Sequence, residues 1–320
     1  MSALPYLLHG ATLALAWFLL FNIVITAIIV MLSPRLIARA AAARPGFWLA
    51  LRLAPAALSI AFVTAIFLPS YWRYEPREFV EGFDVTLTGL AMLALVVVAA
   101  GAVRGVSAWR RAAARTDAWM RGARPLAVPG TALPAFAIAA ATPMMALVGV
   151  LRPRLLVTQP VLDALTDEEL GAASAHEVGH WRALDNVKRL AMRAAPDLLG
   201  ATAAARAIER RWAAAAEQVA DRAAGDSGPA RCALAAALVK VARLTPPAAS
   251  TADPISALIN GGDITARVQR LLDDAAPAES GRQARWFIAA ALAAATLPLV
   301  YAPLLRLVHT VTELLVSTLP

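Results

Sequence analysis

Polar positions almost vanish from the first third of the chain. Residues 10–32 and 85–103 hold no charged side chain, and 47–69 hold only Arg52. About 20 such residues, rising 1.5 Å each, cross a bilayer core of about 30 Å, so the pattern predicts three spanning helices, with Arg52 close enough to one end of the second to snorkel. A fourth apolar run, 284–305, predicts a last span. The first run lacks the basic start and small-residue cleavage site of a secretory leader and continues into "SPRLIAR", which reads as an anchor that stays.

The pattern changes at residue 126. Residues 126–151 are apolar too, yet three prolines and two glycines cut them into strand-length pieces. "MMALVGV" and "RPRLLVTQP" read as two extended runs joined by a turn. Helical spacing then takes over in "LTDEELGAASAHEVGHWRALDNVKRLAMR", where Thr166 and Glu169 form a capping box. Pro196 ends or bends that helix. An Ala/Arg-rich helix closed by Gly225 follows, then a helix opened by Pro229, a loop over 245–263, a short amphipathic helix "ITARVQRLLDD" and a link "AAPAESGRQ" to the last span.

Composition agrees, since 59% apolar residues exceed the 45 to 50% or so of soluble domains. The net charge of +8 is mostly arginine, and its placement argues against nucleic acid. Arg35, Arg39 and Arg44 lie between the first two spans, four acids face two arginines in the next loop, and six arginines follow from Arg104 to Arg124. That alternation predicts the N-terminus outside and residues 104–282 in the cytoplasm, beneath a membrane of the bacterial inner-membrane kind. The expected organisation is three spans in 1–103, a cytoplasmic domain in 104–282, and a fourth span with a short external tail in 283–320. A single cysteine, Cys232, excludes an intrachain disulfide and fits a reducing compartment.

The chemistry concentrates in "AHEVGH". Positions four apart share a helical face, so His176 and His180 offer two imidazoles to one ion, with Glu177 beside them. Zinc suits such a site, with three protein ligands and an open position. No further histidine lies between 104 and 281, so the third ligand must be a carboxylate. Candidates are Asp185, Asp197, Glu209, Glu217, Asp221 and Asp226. Glu217 in "AAEQVAD" is the choice, because Asp221 shares its face one turn on. Asp185 turns away from the imidazoles on an uninterrupted helix and is expected to pair locally with Arg182 or Arg189. Arg267 reads first as a surface arginine.

"AHEVGH" and "EQVAD" resemble the paired motifs of the gluzincin metallopeptidases, above all the membrane-bound families that include the CAAX prenyl protease, the HtpX heat-shock protease and the beta-lactam sensor-transducers. The stretch "LRPRLLVTQPVLDALTDEELGAASAHEVGHWRALDN" is most similar to the sensor-transducers. The resemblance covers about residues 143–225. It implies a mainly α integral membrane protein, with four transmembrane helices and a cytoplasmic, zincin-like α+β metalloprotease domain. It also implies one zinc ion per chain on His176, His180 and Glu217, Glu177 as catalytic base, and Asp221 orienting a ligand histidine. A penicillin-binding sensor domain is not expected after the last span. The later histidine-proline pair of the CAAX and HtpX branches is missing, which leaves Arg267 and the metal to stabilise a transition state.

The expected function is an integral membrane zinc endopeptidase cutting a cytosolic or membrane-proximal protein, with peptide substrate and lipid bilayer as partners. A substrate strand is expected to pair near residues 144–150. The competing function is a non-catalytic membrane transducer or scaffold that retains the zinc-site fold; an intact Glu177 favours the enzyme.

Overall fold

The computed structural model describes every residue except 1–3, 41–42, 77–83, 132, 151, 226, 245–255, 258–263, 274–282 and 319–320, with backbone alone at 256–257 and 283–299. It opens with α1 (Leu4–Arg39) and α2 (Pro45–Phe62). A π-helical turn, Val63–Phe67, carries α2 into α3 (Leu68–Tyr74), and α4 (Val85–Met120) follows. The widened turn has a cause in Pro69, which cannot donate back to the carbonyl of Ala65. The hydroxyl of Tyr301 donates to that oxygen instead, at 2.7 Å.

Among the described residues, three helical stretches are long and apolar enough to cross a membrane: Leu4–Arg39, Pro45–Tyr74 and Val85–Met120. Their outer faces carry Leu20, Ile23, Val24, Ile28, Leu58, Ile60, Met92, Leu93, Leu95 and Val96, all exposed. A continuous apolar surface of this kind needs an apolar solvent, as a membrane protein has. The third helix runs on to Met120, well past the expected end of its span. The expected fourth span falls in α11 (Gln283–Ser317), where the side chains of 284–299 lie outside the described residues.

Arg52 does not snorkel. It is 2% exposed and faces inward, donating to Glu209 at 2.8 Å, Asp197 at 2.9 Å and the carbonyl of Met192 at 2.8 Å. An aqueous end was therefore unnecessary, because two carboxylates from later in the chain meet the charge in place. Arg104 of α4 donates to the carbonyl of Ala195 at 2.9 Å, while Asn22 of α1 donates to that of Pro196 and accepts from the Leu198 amide. Three apolar helices thus each commit one polar side chain to a single short segment, 192–198.

The second part of the chain carries β1 (Arg124–Leu126), β2 (Ala135–Ile138), β3 (Met145–Val148) and β4 (Arg154–Thr158). The helices are α5 (Gln159–Ala164), α6 (Asp167–Arg182), α7 (Asp185–Ala194), α8 (Ala203–Ala224), α9 (Gly228–Leu244) and α10 (Ile264–Leu272). The reading of 126–151 as strands agrees with β2 and β3, and β3 pairs antiparallel with β4 across a turn in which Gly149 has φ +88°. A Cβ there would stand 2.5 Å from the carbonyl oxygen of Arg152, so glycine is required.

Most of the loop expected over 245–263 and the link over 275–283 lie outside the described residues. Within that loop Ser256–Ala257 form β5, giving a sheet in the order β1-β2-β4-β3-β5. One core joins the sheet to α6 and α9 through Met145, Leu155, Val157, Ala173, Leu234 and Leu238. Another seats α8 against α1 and α2 through Trp212, Ile208, Ile29 and Trp48.

Candidate metal centre

Helix α6 starts where its cap says it should. Thr166 Oγ1 accepts from the Glu169 amide at 3.3 Å, Glu169 Oε2 accepts from the Thr166 amide at 2.8 Å, and Lys240 holds the same carboxylate at 2.7 Å. This fixed start sets the rotation of the helix and so the face that enters the core. His176, Glu177 and His180 are all essentially inaccessible to solvent. Gly179 lets α8 approach: a Cβ in its place would lie 3.2 Å from Cα of Ala220 and 3.3 Å from Cβ of Ala223. The glycine inside the motif therefore brings Glu217 within reach of the imidazoles.

The two Nε2 atoms stand 3.2 Å apart. Glu217 closes the group, with Oε2 3.4 Å from His176 Nε2 and Oε1 3.4 Å from His180 Nε2. These donors all lie within 4.8 Å of one another. Each ring has a carboxylate beside its other nitrogen: Asp221 Oδ1 lies 3.0 Å from Nδ1 of His176, and Asp185 Oδ2 lies 2.7 Å from Nδ1 of His180, where it is hydrogen-bonded. A carboxylate on Nδ1 puts the proton there and leaves the Nε2 lone pair facing the shared space. Two such lone pairs beside a carboxylate repel one another unless a cation sits among them, so the donor set fits zinc.

Asp185 corrects the sequence reading. The helix does not continue past Arg182; Ala183 and Leu184 turn, with Leu184 in the left-handed region at φ 56°, and α7 begins at Asp185. The turn swings Asp185 back onto His180, so its partners are His180 and Lys188 (3.3 Å) in place of Arg182 or Arg189. Asn186 is also enlisted, donating to the carbonyls of Leu147 at 3.3 Å and Gly149 at 3.2 Å. The Asp-Asn pair after the motif was visible in the sequence, but the backbone break that aims it was not.

Arg267 is not at the surface. It is 1% exposed, and its guanidinium engages Asp221 through Nε at 3.1 Å and Nη2 at 2.6 Å, and Glu217 through Nη1 at 3.1 Å. Of the other carboxylates weighed as ligands, Asp197 and Glu209 are held by Arg52, and Asp226 lies outside the described residues.

Without metal, burial alone would push both histidines down, yet their carboxylate partners prevail. His176 is raised, by Asp221 and Glu217 against burial, and His180 is pushed up to about 10 by Asp185 and Glu217. Burial opposes Glu217 as well, but the two imidazoles hold it well below the usual carboxylate range. Glu177 behaves differently: burial raises it and outweighs the lowering pull of the His180 and His176 imidazoles. Its Oε2 accepts from the Leu147 amide at 3.2 Å, and its buried Oε1 has no hydrogen-bond partner. A carboxylate with raised proton affinity and an open oxygen beside three converging donors can take and return a proton.

The edge of β3 expected to receive a substrate strand is partly taken by the chain itself, since Ala146 pairs with Ala257 and Leu147 with Ser256. Compared with known proteins, residues 110–274 match the family model described as peptidase family M48, which is just over half of the chain. No curated protein and no solved structure gives a significant match.

Proposed function

The chain belongs to peptidase family M48, and from that premise we propose that it is an integral membrane zinc endopeptidase that cuts a cytosolic or membrane-proximal protein. The observation that carries this reading is the convergence of His176 Nε2, His180 Nε2 and Glu217 beside an unpaired oxygen of Glu177. Zinc, held by those three residues, would supply Lewis acidity toward a peptide carbonyl and acidify a water. Glu177 takes the proton of the attacking water and passes it to the leaving amine, while the Leu147 amide keeps its other oxygen in place. Asp221 and Asp185 hold the imidazoles in the required tautomer, and Arg267 steadies Glu217 and Asp221 instead of facing substrate.

A substrate strand pairs with Ala146 and Leu147 of β3 only by displacing β5; on the outer edge of β5 it would lie about 4.8 Å farther from Glu177. The arginine asymmetry supports a cytoplasmic active site, with α11 as the fourth span. The likeness of residues 151–186 to the sensor-transducers supports regulatory or quality-control cutting over digestion.

The test is proteolysis of an unstructured protein such as casein by the full-length chain in detergent. Cleavage should stop on chelation and return with zinc. Cleavage that survives complete zinc removal would take the metal out of the reaction.

A further inference from the structure

We propose a second metal site, at the other end of the helical bundle, formed by Glu75, His309 and Glu313 for a divalent first-row transition ion. It does not depend on the peptidase reading. Glu75 caps the C-terminus of α3, its amide donating to Tyr71 at 3.0 Å. His309 and Glu313 lie on α11 four residues apart, so they share one face, and that face meets α3. One ligand atom from each of the three lies within 4.8 Å of the others, the same compass that encloses the His176, His180 and Glu217 donors.

The details fit an ion better than a plain salt bridge. His309 Nδ1 is 3.8 Å from Glu75 Oε2, beyond hydrogen-bond reach. Two atoms each bound about 2.1 Å from one tetrahedral ion stand about 3.4 Å apart, so a small side-chain adjustment completes the pair. The imidazole is also held in orientation, stacked on the Tyr74 ring with centroids 5.8 Å apart and planes 29° from parallel. Glu75 and His309 are largely buried, at 13% and 24% side-chain exposure, whereas Glu313 is open to solvent and leaves room for water ligands. One nitrogen and two carboxylates suit zinc, cobalt, nickel or manganese, while calcium prefers an all-oxygen shell.

The two centres sit at opposite ends of α1. Near its start, Tyr6 and Tyr71 exchange hydrogen bonds with each other's carbonyls at 3.3 and 2.8 Å, beside the Glu75 end of α3. Farther along, Ile29 of α1 packs in one core with Trp212 of α8, the helix that carries Glu217. An ion on Glu75, His309 and Glu313 ties α11 to α3 at the end away from the first centre.

The experiment is zinc stoichiometry on tag-free, full-length protein in detergent, stripped with chelator, reloaded with zinc and dialysed. Wild type should hold about two equivalents. His309→Ala and Glu75→Gln should each hold about one and keep wild-type casein cleavage, which reports an intact fold. His176→Ala should also hold about one, and the His176→Ala/His309→Ala double variant none. Should the buried substitutions fail to fold, Glu313→Gln at the exposed position gives the same reading through a weakened second equivalent. A single equivalent in wild type that His309→Ala retains and His176→Ala loses, as expected for a protonated His309 merely paired with carboxylates, overturns the site. So does a second equivalent that persists in His309→Ala and Glu313→Gln.

Discussion

Asp185 Oδ2 lies 2.7 Å from Nδ1 of His180, held there by the left-handed turn at Leu184. The contact joins the start of α7 to the middle of the metal centre, and both side chains are buried at 2% exposure or less. Its carboxylate is further fixed by Lys188 at 3.3 Å.

Removing this partner should weaken metal binding without removing a ligand. Asp185→Ala should lower zinc affinity by roughly 10- to 100-fold, measured by competition with a chromogenic chelator, because His180 loses the group that sets its tautomer and ring angle. Asp185→Asn, whose amide oxygen still accepts from Nδ1, should lose less. Wild-type affinity in Asp185→Ala would mean the contact plays no part in tuning the site.

Gly179 offers a test of how α6 and α8 assemble the centre. Alanine there meets Ala220 and Ala223 at 3.2–3.4 Å and asks for shifts of a few tenths of an ångström. Leucine cannot be fitted by so small a movement. Gly179→Leu should separate Glu217 from the imidazoles and abolish stoichiometric zinc, at a stability cost of about 1–3 kcal/mol from overpacking. If Gly179→Leu loads zinc fully, the close helix approach is not what delivers Glu217.

What could be read from the sequence follows from the range of the forces involved. The three long apolar helices, the capping box of α6 and the β3–β4 hairpin depend on local composition, prolines and glycines, and the chain states these directly. The placement of Glu217 and Asp221 followed from helical spacing on α8. Leu184 was opaque because nothing about a leucine announces φ 56°, and with it went Asp185. Arg52 and Arg267 were misread for a related reason. A buried arginine is legible only through partners 46 to 157 residues distant in the chain, as Asp221 and Glu209 are.

Arg52 should matter for stability although its partners, Glu209, Asp197 and Met192, are not metal donors. Arg52→Met leaves Asp197 buried with its charge uncompensated, although the Gly200 amide still donates at 2.7 Å. Removing one partner of a buried pair typically costs about 3–5 kcal/mol, so thermal unfolding in detergent should drop by several degrees. Adding Asp197→Asn should recover part of the loss, because the stranded charge is gone. No recovery in the double variant would place the cost in packing instead of charge.

Glu217 and Asp221 sit one turn apart on α8 with different tasks, and alanine should separate them. Glu217→Ala removes a donor from the converging group and should leave no stoichiometric zinc by atomic emission. Asp221→Ala strips the outer partner from His176 and a counter-charge from Arg267, so affinity should fall by roughly 10- to 100-fold with activity returning at high zinc. Full zinc in Glu217→Ala would move the third ligand elsewhere.

Glu177 is the remaining carboxylate of the centre and the one that binds no partner through Oε1. Glutamine keeps its shape and retains a carbonyl oxygen able to accept from the Leu147 amide, so Glu177→Gln should fold normally and load zinc as wild type does. What it cannot do is take a proton from water. General base catalysis contributes on the order of 10²- to 10⁴-fold, and turnover of casein should fall by that factor while substrate binding is kept. The comparison is made on zinc-loaded protein, with metal content measured in the same sample. Turnover near wild type at full zinc would remove Glu177 from the proton path, and a parallel loss of zinc would make its role one of holding the site together.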